Sequence, residues 1–210
     1  GLAVLRESGA FEILSVNGAD AGRLSAALGD ADALLVRSGT KVTAELLQAA
    51  PRLRLVGRAG TGVDNIDTGA ATRRGLVVMN TPDANSIAAA EQTLALILGL
   101  VRNLAPAAES LSHGRWERTK FLGTELSGKT IGVAGFGRIG REVARRARAF
   151  DMTVLVHDPF ITDDIARAHE ASCVTLDDLL TRSDIVTLHV PLTKTTRHLI
   201  GRRELALMKK

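Results

Sequence analysis

Two doubly wound parallel-sheet domains of the α/β class are what this sequence predicts. Three observations carry the expectation. Strand-like and helix-like runs alternate along nearly the whole chain, the rhythm breaks once at "NTPDANS" (80–86), and the second series opens with a glycine-rich turn between a strand and a helix.

Composition suits such a fold. The chain has 210 residues, 45% hydrophobic and 24% charged, enough for real cores. Aromatic residues make up only 3%, with one Trp and no Tyr, and the arginines are scattered over every segment. A nucleic-acid surface needs a basic stripe with interleaved aromatics, so nucleic acid is not an expected partner. The formal net charge of +4 instead suits a small anionic ligand. Cys173 is the single cysteine, which excludes an internal disulfide and fits a reducing, cytoplasmic setting. The opening "GLAVLRESGAFEIL" lacks the basic start and long apolar run of a signal peptide. The most apolar stretch, "IAAAEQTLALILGLV" (87–101), is interrupted by Glu91 and Gln92 and is too short to span a bilayer. It reads as a buried or interface helix, and no membrane partner is expected.

Taken in order, "GLAVLRESGAF" reads as a helix closed by Gly9. "FEILSV" (11–16) follows as a strand, then "ADAGRLSAAL" (19–28) as a helix, "ADALLVR" (31–37) as a strand and "TAELLQAA" (43–50) as a helix. "LRLVGRA" (53–59) is strand-like, "TGAATRRG" (68–75) a short helix ending on glycine, and "LVVMN" (76–80) a strand. Asp64 or Asp67 is expected to cap that short helix rather than to act as a catalytic carboxylate. Beyond the break come a long helix over 86–103 and a polar arm (111–128), and the second β-α series begins at "KTIGVAG". The boundary falls near 82, giving domains 1–82 and 83–210. The chain closes on "RRELALMKK" (202–210), read as a surface helix with Leu205 and Met208 on one face.

The spacing Gly135, Gly137, Gly140 in "KTIGVAGFGRIG" (129–140) is G-x-G-x-x-G. The strand Ile131 to Ala134 enters it, and a helix with Ile139, Val143, Ala147 and Phe150 on one face leaves it. In that context each glycine has a task. Gly135 permits the tight turn, Gly137 lets a pyrophosphate approach the backbone, and Gly140 allows close helix–strand packing. The helix N-terminus supplies N–H groups for the phosphates. The next strand, "MTVLVHD" (152–158), ends in Asp158, 18 residues past Gly140. A carboxylate there accepts ribose hydroxyls and repels a 2′-phosphate, which selects NAD over NADP.

In open α/β sheets ligands sit at the carboxyl ends of the strands. In the first domain those ends carry Arg37, Arg58 followed by "GTG" (60–62), and Asn80 leading to Asn85. Arg37 and Arg58 offer guanidinium forks for carboxylate or phosphate. Gly60, Thr61 and Gly62 are expected to form an anion-binding nest of successive N–H groups. The five histidines show no metal-ligand spacing, so no metal is expected.

These residues together resemble the D-isomer-specific 2-hydroxyacid dehydrogenases. The stretches that carry the likeness include "VRSGTKVTAELL", "VGRAGTGVDNIDTGAATRRGLVVMNTP", "GRWERTKFLGTELSGKTIGVAGFGRIGREVA" and "VPLTKTTRHLI". The resemblance implies a flavodoxin-like substrate domain and a Rossmann-like NAD domain. It implies hydride transfer to NAD from a phosphorylated 2-hydroxy acid. Related alternatives are a glyoxylate or hydroxypyruvate reductase, or a non-catalytic NAD-sensing module. It further implies that Arg138 and Ile139 contact the pyrophosphate, Asp158 the adenosine ribose, and Val190 and Pro191 the adenine side. Thr61 would sit where nicotinamide and substrate meet. Gly60 to Gly62 and Asn85 would hold the substrate carboxylate, and Arg37, Arg58 and Arg118 the phosphate. A homodimer through 86–128 is implied as well, with Trp116 at the interface. The family's catalytic arginine, glutamate and histidine are expected beyond Lys210. The first strand of the substrate domain and an initiator Met are also missing, so both domains are expected to be incomplete.

Overall fold

Backbone pairing in the computed structural model resolves into two all-parallel sheets, one in each of two compact units, Gly1–Ala84 and Asn85–Lys210. The structure describes residues 2–17 and 20–210. Ala19, at the start of the helix expected over 19–28, lies outside the described residues.

The first unit runs α1 (Leu2–Glu7), α2 (Ala21–Leu28), β1 (Ala33–Val36), α3 (Ala44–Gln48), β2 (Leu55–Arg58), α4 (Thr68–Arg73) and β3 (Val77–Asn80). Its strands lie in the order β1-β2-β3. Capping follows local chemistry. Asp20, Thr43 and Asp67 each accept an N–H from the first turn of α2, α3 and α4. Asp67 is therefore the cap of α4, and Asp64 is not. One face of the sheet, carrying Leu34, Val36 and Val56, closes over Leu24, Leu28, Leu47, Ile66 and Ala70. Register places Leu35, Gly57 and Met79 side by side on the opposite face, beside Ala33, Leu55 and Val77. There Leu35, Val77 and Met79 are 57%, 54% and 55% exposed.

The strand expected over 11–16 does not form. Residues 10–17 have no regular structure, and Phe11 and Leu14 are exposed. A strand needs a neighbour to satisfy its N–H and C=O groups, and this run has none among the described residues.

The second unit begins with α5 (Ser86–Val101) and α6 (Leu104–Ser112). The expected single helix over 86–103 breaks where Asn103 takes a left-handed φ of 53°, a conformation asparagine tolerates. The two helices bend by 63°, and among the described residues no single helix is long and apolar enough to cross a membrane. A 3-10 turn, Arg118–Phe121, lies in the arm. Then come β4 (Thr130–Ala134), α7 (Arg138–Arg148), β5 (Thr153–His157), α8 (Asp163–Ala168), β6 (Ser172–Cys173), α9 (Leu176–Arg182), β7 (Ile185–Leu188) and α10 (Arg202–Leu207). Leu205, on the last of these, is exposed.

Strand order here is β6-β5-β4-β7. Helices cover β4 on both sides, as its alternating residues show. A Cβ on Gly132 would lie 2.4 Å from Leu179 Cδ2 of α9, while the next residue, Val133, faces Gly140 of α7. Gly140, Val143, Ala144 and Ala147 form the buried face of α7. Phe150 lies past the end of α7 and is partly exposed, so it does not belong to that face.

Candidate functional site

Chain order in the second sheet reverses at β4, which is flanked by β5 and β7. A crevice at such a switch point is where open α/β sheets bind ligands, and the glycine turn leaves β4 there. Gly135 has φ +91°, and a Cβ on it would stand 2.7 Å from the His189 carbonyl. A Cβ on Gly140 would stand 2.2 Å from Gly135 O. Nothing lies within 4 Å of the Cβ position of Gly137, the N-cap of α7. No side chain caps α7. The positive end of the helix dipole thus meets open space beside a bare glycine, which suits a pyrophosphate.

Asp158 follows β5. Its Oδ2 accepts the Phe136 N–H at 2.7 Å and its Oδ1 the Phe160 N–H at 2.9 Å. A carboxylate has about four acceptor positions, so two remain for ribose hydroxyls. These residues fit an adenine dinucleotide. Arg138 is exposed in the first turn of α7, and Ile139 is half-buried against the core. Val190 abuts the turn, its Cγ1 2.9 Å from the Cβ position of Gly135, and Pro191 is exposed next to it.

Phe136 is a feature that sequence reading passed over as a variable position of the motif. It is fully buried, with the His169 ring edge-on at 5.5 Å and the Arg141 guanidinium 5.7 Å from its centre. Arg141 Nε also donates to Phe136 O at 3.0 Å. The aromatic between two glycines was the available signal: it anchors the turn from below while the glycines keep its upper side bare. His189 follows β7, its Nε2 3.0 Å from Thr187 Oγ1. Burial pushes its pKa below the ordinary histidine value, which keeps the ring neutral at pH 7. Among the described residues no group of three or more His, Cys, Asp or Glu side chains is placed to hold a metal ion.

In the first unit, Val36, Arg58 and Asn80 lie in register at the carboxyl ends of β1, β2 and β3. Arg37 is exposed just beyond β1. Arg58 is 10% exposed, and its Nη1 donates to Asp64 Oδ1 at 2.5 Å. This bond holds the Asp64 carboxyl below the usual carboxylate range. The guanidinium lies against the glycine turn, with Arg58 Nε 3.5 Å from the Cβ position of Gly60 and Nη1 3.0 Å from that of Gly62. Asn80 Nδ2 donates to Thr61 O at 2.5 Å. The expected nest does not form. Neither Gly60 nor Gly62 has a positive φ, and the Gly60 N–H is already bonded to Arg58 O at 3.0 Å. A Cβ on Gly62 would stand 2.9 Å from Asp64 Oδ1 and 3.0 Å from Arg58 Nη1. Asn85 and Arg118 belong to the second unit, where both are exposed.

Comparison with known proteins agrees with this geometry. The family model described as "D-isomer specific 2-hydroxyacid dehydrogenase, NAD binding domain" matches residues 94–210, more than half of the chain. The chain is 48% identical to the D-3-phosphoglycerate dehydrogenase of Methanocaldococcus jannaschii over 99% of its own length and 39% of that protein. It is 47% identical to the enzyme of the same name from Bacillus subtilis, covering 100% of this chain and 39% of that one. It thus spans about two-fifths of the length of these relatives. Among solved structures, NAD-dependent formate dehydrogenase from Staphylococcus aureus in complex with NAD aligns with a TM-score of 0.87 at 31% identity, over 99% of this chain and 62% of that one. With its α/β fold, its glycine turn at the switch point and a carboxylate just beyond the next strand, the chain belongs to the D-isomer-specific 2-hydroxyacid dehydrogenases and carries their NAD-binding domain.

Proposed function

We propose that the protein to which this chain belongs oxidises D-3-phosphoglycerate to 3-phosphohydroxypyruvate with NAD. The observation that carries this reading is the presence, in one chain, of an NAD-type glycine turn and an arginine-lined sheet edge, where Arg37 follows β1 and Arg58 lies against Gly60 and Gly62. The likeness to relatives named D-3-phosphoglycerate dehydrogenase supports it. When bound, the dinucleotide supplies the hydride acceptor. Gly135, Gly137, Gly140, Arg138 and Ile139 hold its pyrophosphate, Asp158 its ribose, and Val190 and Pro191 flank the adenine. Arg37 and Arg58 bind the phosphate, and the turn at Gly62 the carboxylate.

Among the described residues none of the histidines bonds a carboxylate: their polar ring contacts go to Glu109 O, Val174 O, Thr187, Ser112 and Arg197. Residues 1–210 alone are therefore expected to bind NAD without turnover. The product of the whole open reading frame is expected to form NADH from D-3-phosphoglycerate. Failure of that reaction alongside brisk reduction of glyoxylate would replace the substrate assignment. In that product Asp158→Ala should erode the preference for NAD over NADP, and an unchanged ratio would remove Asp158 as the ribose ligand.

The reading includes a homodimer through 86–128. Leu96, Leu100, Leu104, Leu111, Trp116 and Leu122 are all exposed there, more apolar surface than a monomer usually leaves in one region. Leu100→Glu with Trp116→Glu should shift sedimentation to a monomer.

A further inference from the structure

Arg58 and Arg37 reach the sheet edge by different routes, yet both are tied to neighbouring positions of one loop. The side chain of Arg58 is nearly buried, and its guanidinium reaches the carboxylate of Asp64, which is itself 73% exposed. Arg58 Nε is buried and has no hydrogen-bond partner, so the Asp64 bond is what orients the fork. Arg37 is held through its backbone. Asn65 Nδ2 donates to Arg37 O at 3.0 Å and to Thr40 O at 2.6 Å. The main chain continues the attachment: Val42 N–H donates to Asn65 O, and Asp67 N–H to Val42 O, each at 2.8 Å.

An exposed carboxylate contributes little net stability to an ion pair. Yet Asp64 lies where it cancels the charge of an arginine turned toward the sheet edge. Asn65 spends both amide donors on the carbonyls of the loop that carries Arg37. Both residues are better explained by geometry than by stability.

We propose that Asp64 and Asn65 are positioning residues. Asp64 sets the direction of the Arg58 fork, Asn65 sets the backbone from which Arg37 projects, and together they fix the spacing of a two-arginine clamp for a phosphorylated hydroxy acid. This rests on the reading that Arg37 and Arg58 bind the substrate. D-3-phosphoglycerate is held at its carboxylate as well as at its phosphate, so misplacing the two arginines weakens it more than inorganic phosphate, which can follow them.

Double-mutant cycles test it, read by calorimetry on the product of the whole open reading frame with D-3-phosphoglycerate and with inorganic phosphate as probes. Asp64→Ala and Asn65→Ala should each weaken phosphoglycerate about tenfold, phosphate less, and leave NAD affinity unchanged. Asp64→Ala should add nothing in an Arg58→Ala background, and Asn65→Ala nothing in an Arg37→Ala background. Asp64→Asn keeps an acceptor oxygen for Nη1 and should restore most of the binding. If Asn65→Ala melts below the assay temperature, Asn65→Gln takes its place in the same cycle. Losses that multiply across either cycle, or equal losses for both probes, overturn the positioning role. If the arginine variants lose binding while the Asp64 and Asn65 variants do not, only this inference falls. If Arg37→Ala and Arg58→Ala bind as the parent does, the substrate-site reading falls with it.

Discussion

The two sheets are built by the same rule and finished differently. Each has a central parallel strand with a glycine at its middle, Gly57 in β2 and Gly132 in β4. At Gly132 a side chain would run into Leu179 and Ser183 of a covering helix. At Gly57 it would meet Leu35 Cδ2 at 2.5 Å, the far end of a side chain that is itself more than half exposed. Parallel sheets are ordinarily covered on both faces. The second sheet obeys this. The first presents Leu35, Val77 and Met79 to solvent, so identical sequence logic leaves very different tolerance to change.

The largest effect should come where backbone meets backbone. Gly140→Ala would set a Cβ 2.2 Å from Gly135 O, and neither partner can turn away. A loss of about 3 kcal/mol in urea unfolding, with NAD binding abolished, is expected. A mild loss would mean that α7 can ride away from β4.

Gly132→Ala and Gly57→Ala test the comparison directly. The first should cost about 2 kcal/mol by over-packing against Leu179 and Ser183. The second should be near neutral, because Leu35 can swing into solvent while the unfolded chain loses freedom. Equal costs would break the contrast between the faces.

Lysine substitutions sharpen it. Val77→Lys with Met79→Lys should change the stability of the chain by about 0.5 kcal/mol or less and raise its solubility. Val133→Lys, at a fully buried position, should prevent folding. Repeating the Val77 and Met79 pair in the whole open reading frame asks whether that face is covered there. A much larger cost in the longer protein would mean that it is.

The smallest effect concerns pH. All five histidines lie in the second unit and none in the first. Burial lowers the pKa of His189 in the fold. Its contribution is therefore present above the unfolded value of about 6.5 and is lost as pH falls through the folded value. Melting of the second unit should move down on acidification from about pH 7.5 to about 5.5, and His189→Gln should remove part of that slope. An unchanged slope in the variant would place the titration at another group.

Much of this was legible before any coordinates. The glycine turn, the strand before it, the helix after it and Asp158 are local features. Their spacing follows from chain geometry that neighbouring residues set themselves. The caps of α2, α3 and α4 are equally local, although two acids three residues apart competed for α4 and the text alone did not choose Asp67 over Asp64. The run at 11–16 had the look of a strand, but a strand is a pairing, and pairing is not written in the strand.

The sequence by itself determined the class of fold, the order of its elements and the place of the dinucleotide turn, because periodicity and glycine spacing act over a few residues. Only the tertiary structure decided that Asp64 serves Arg58, that Asn65 carries the loop of Arg37 and that Phe136 anchors the glycine turn. It alone decided, too, that among the described residues one sheet is covered on both faces and the other on one. Each of these depends on which distant surfaces meet, and burial and ion pairing are set by that meeting rather than by the residues one at a time.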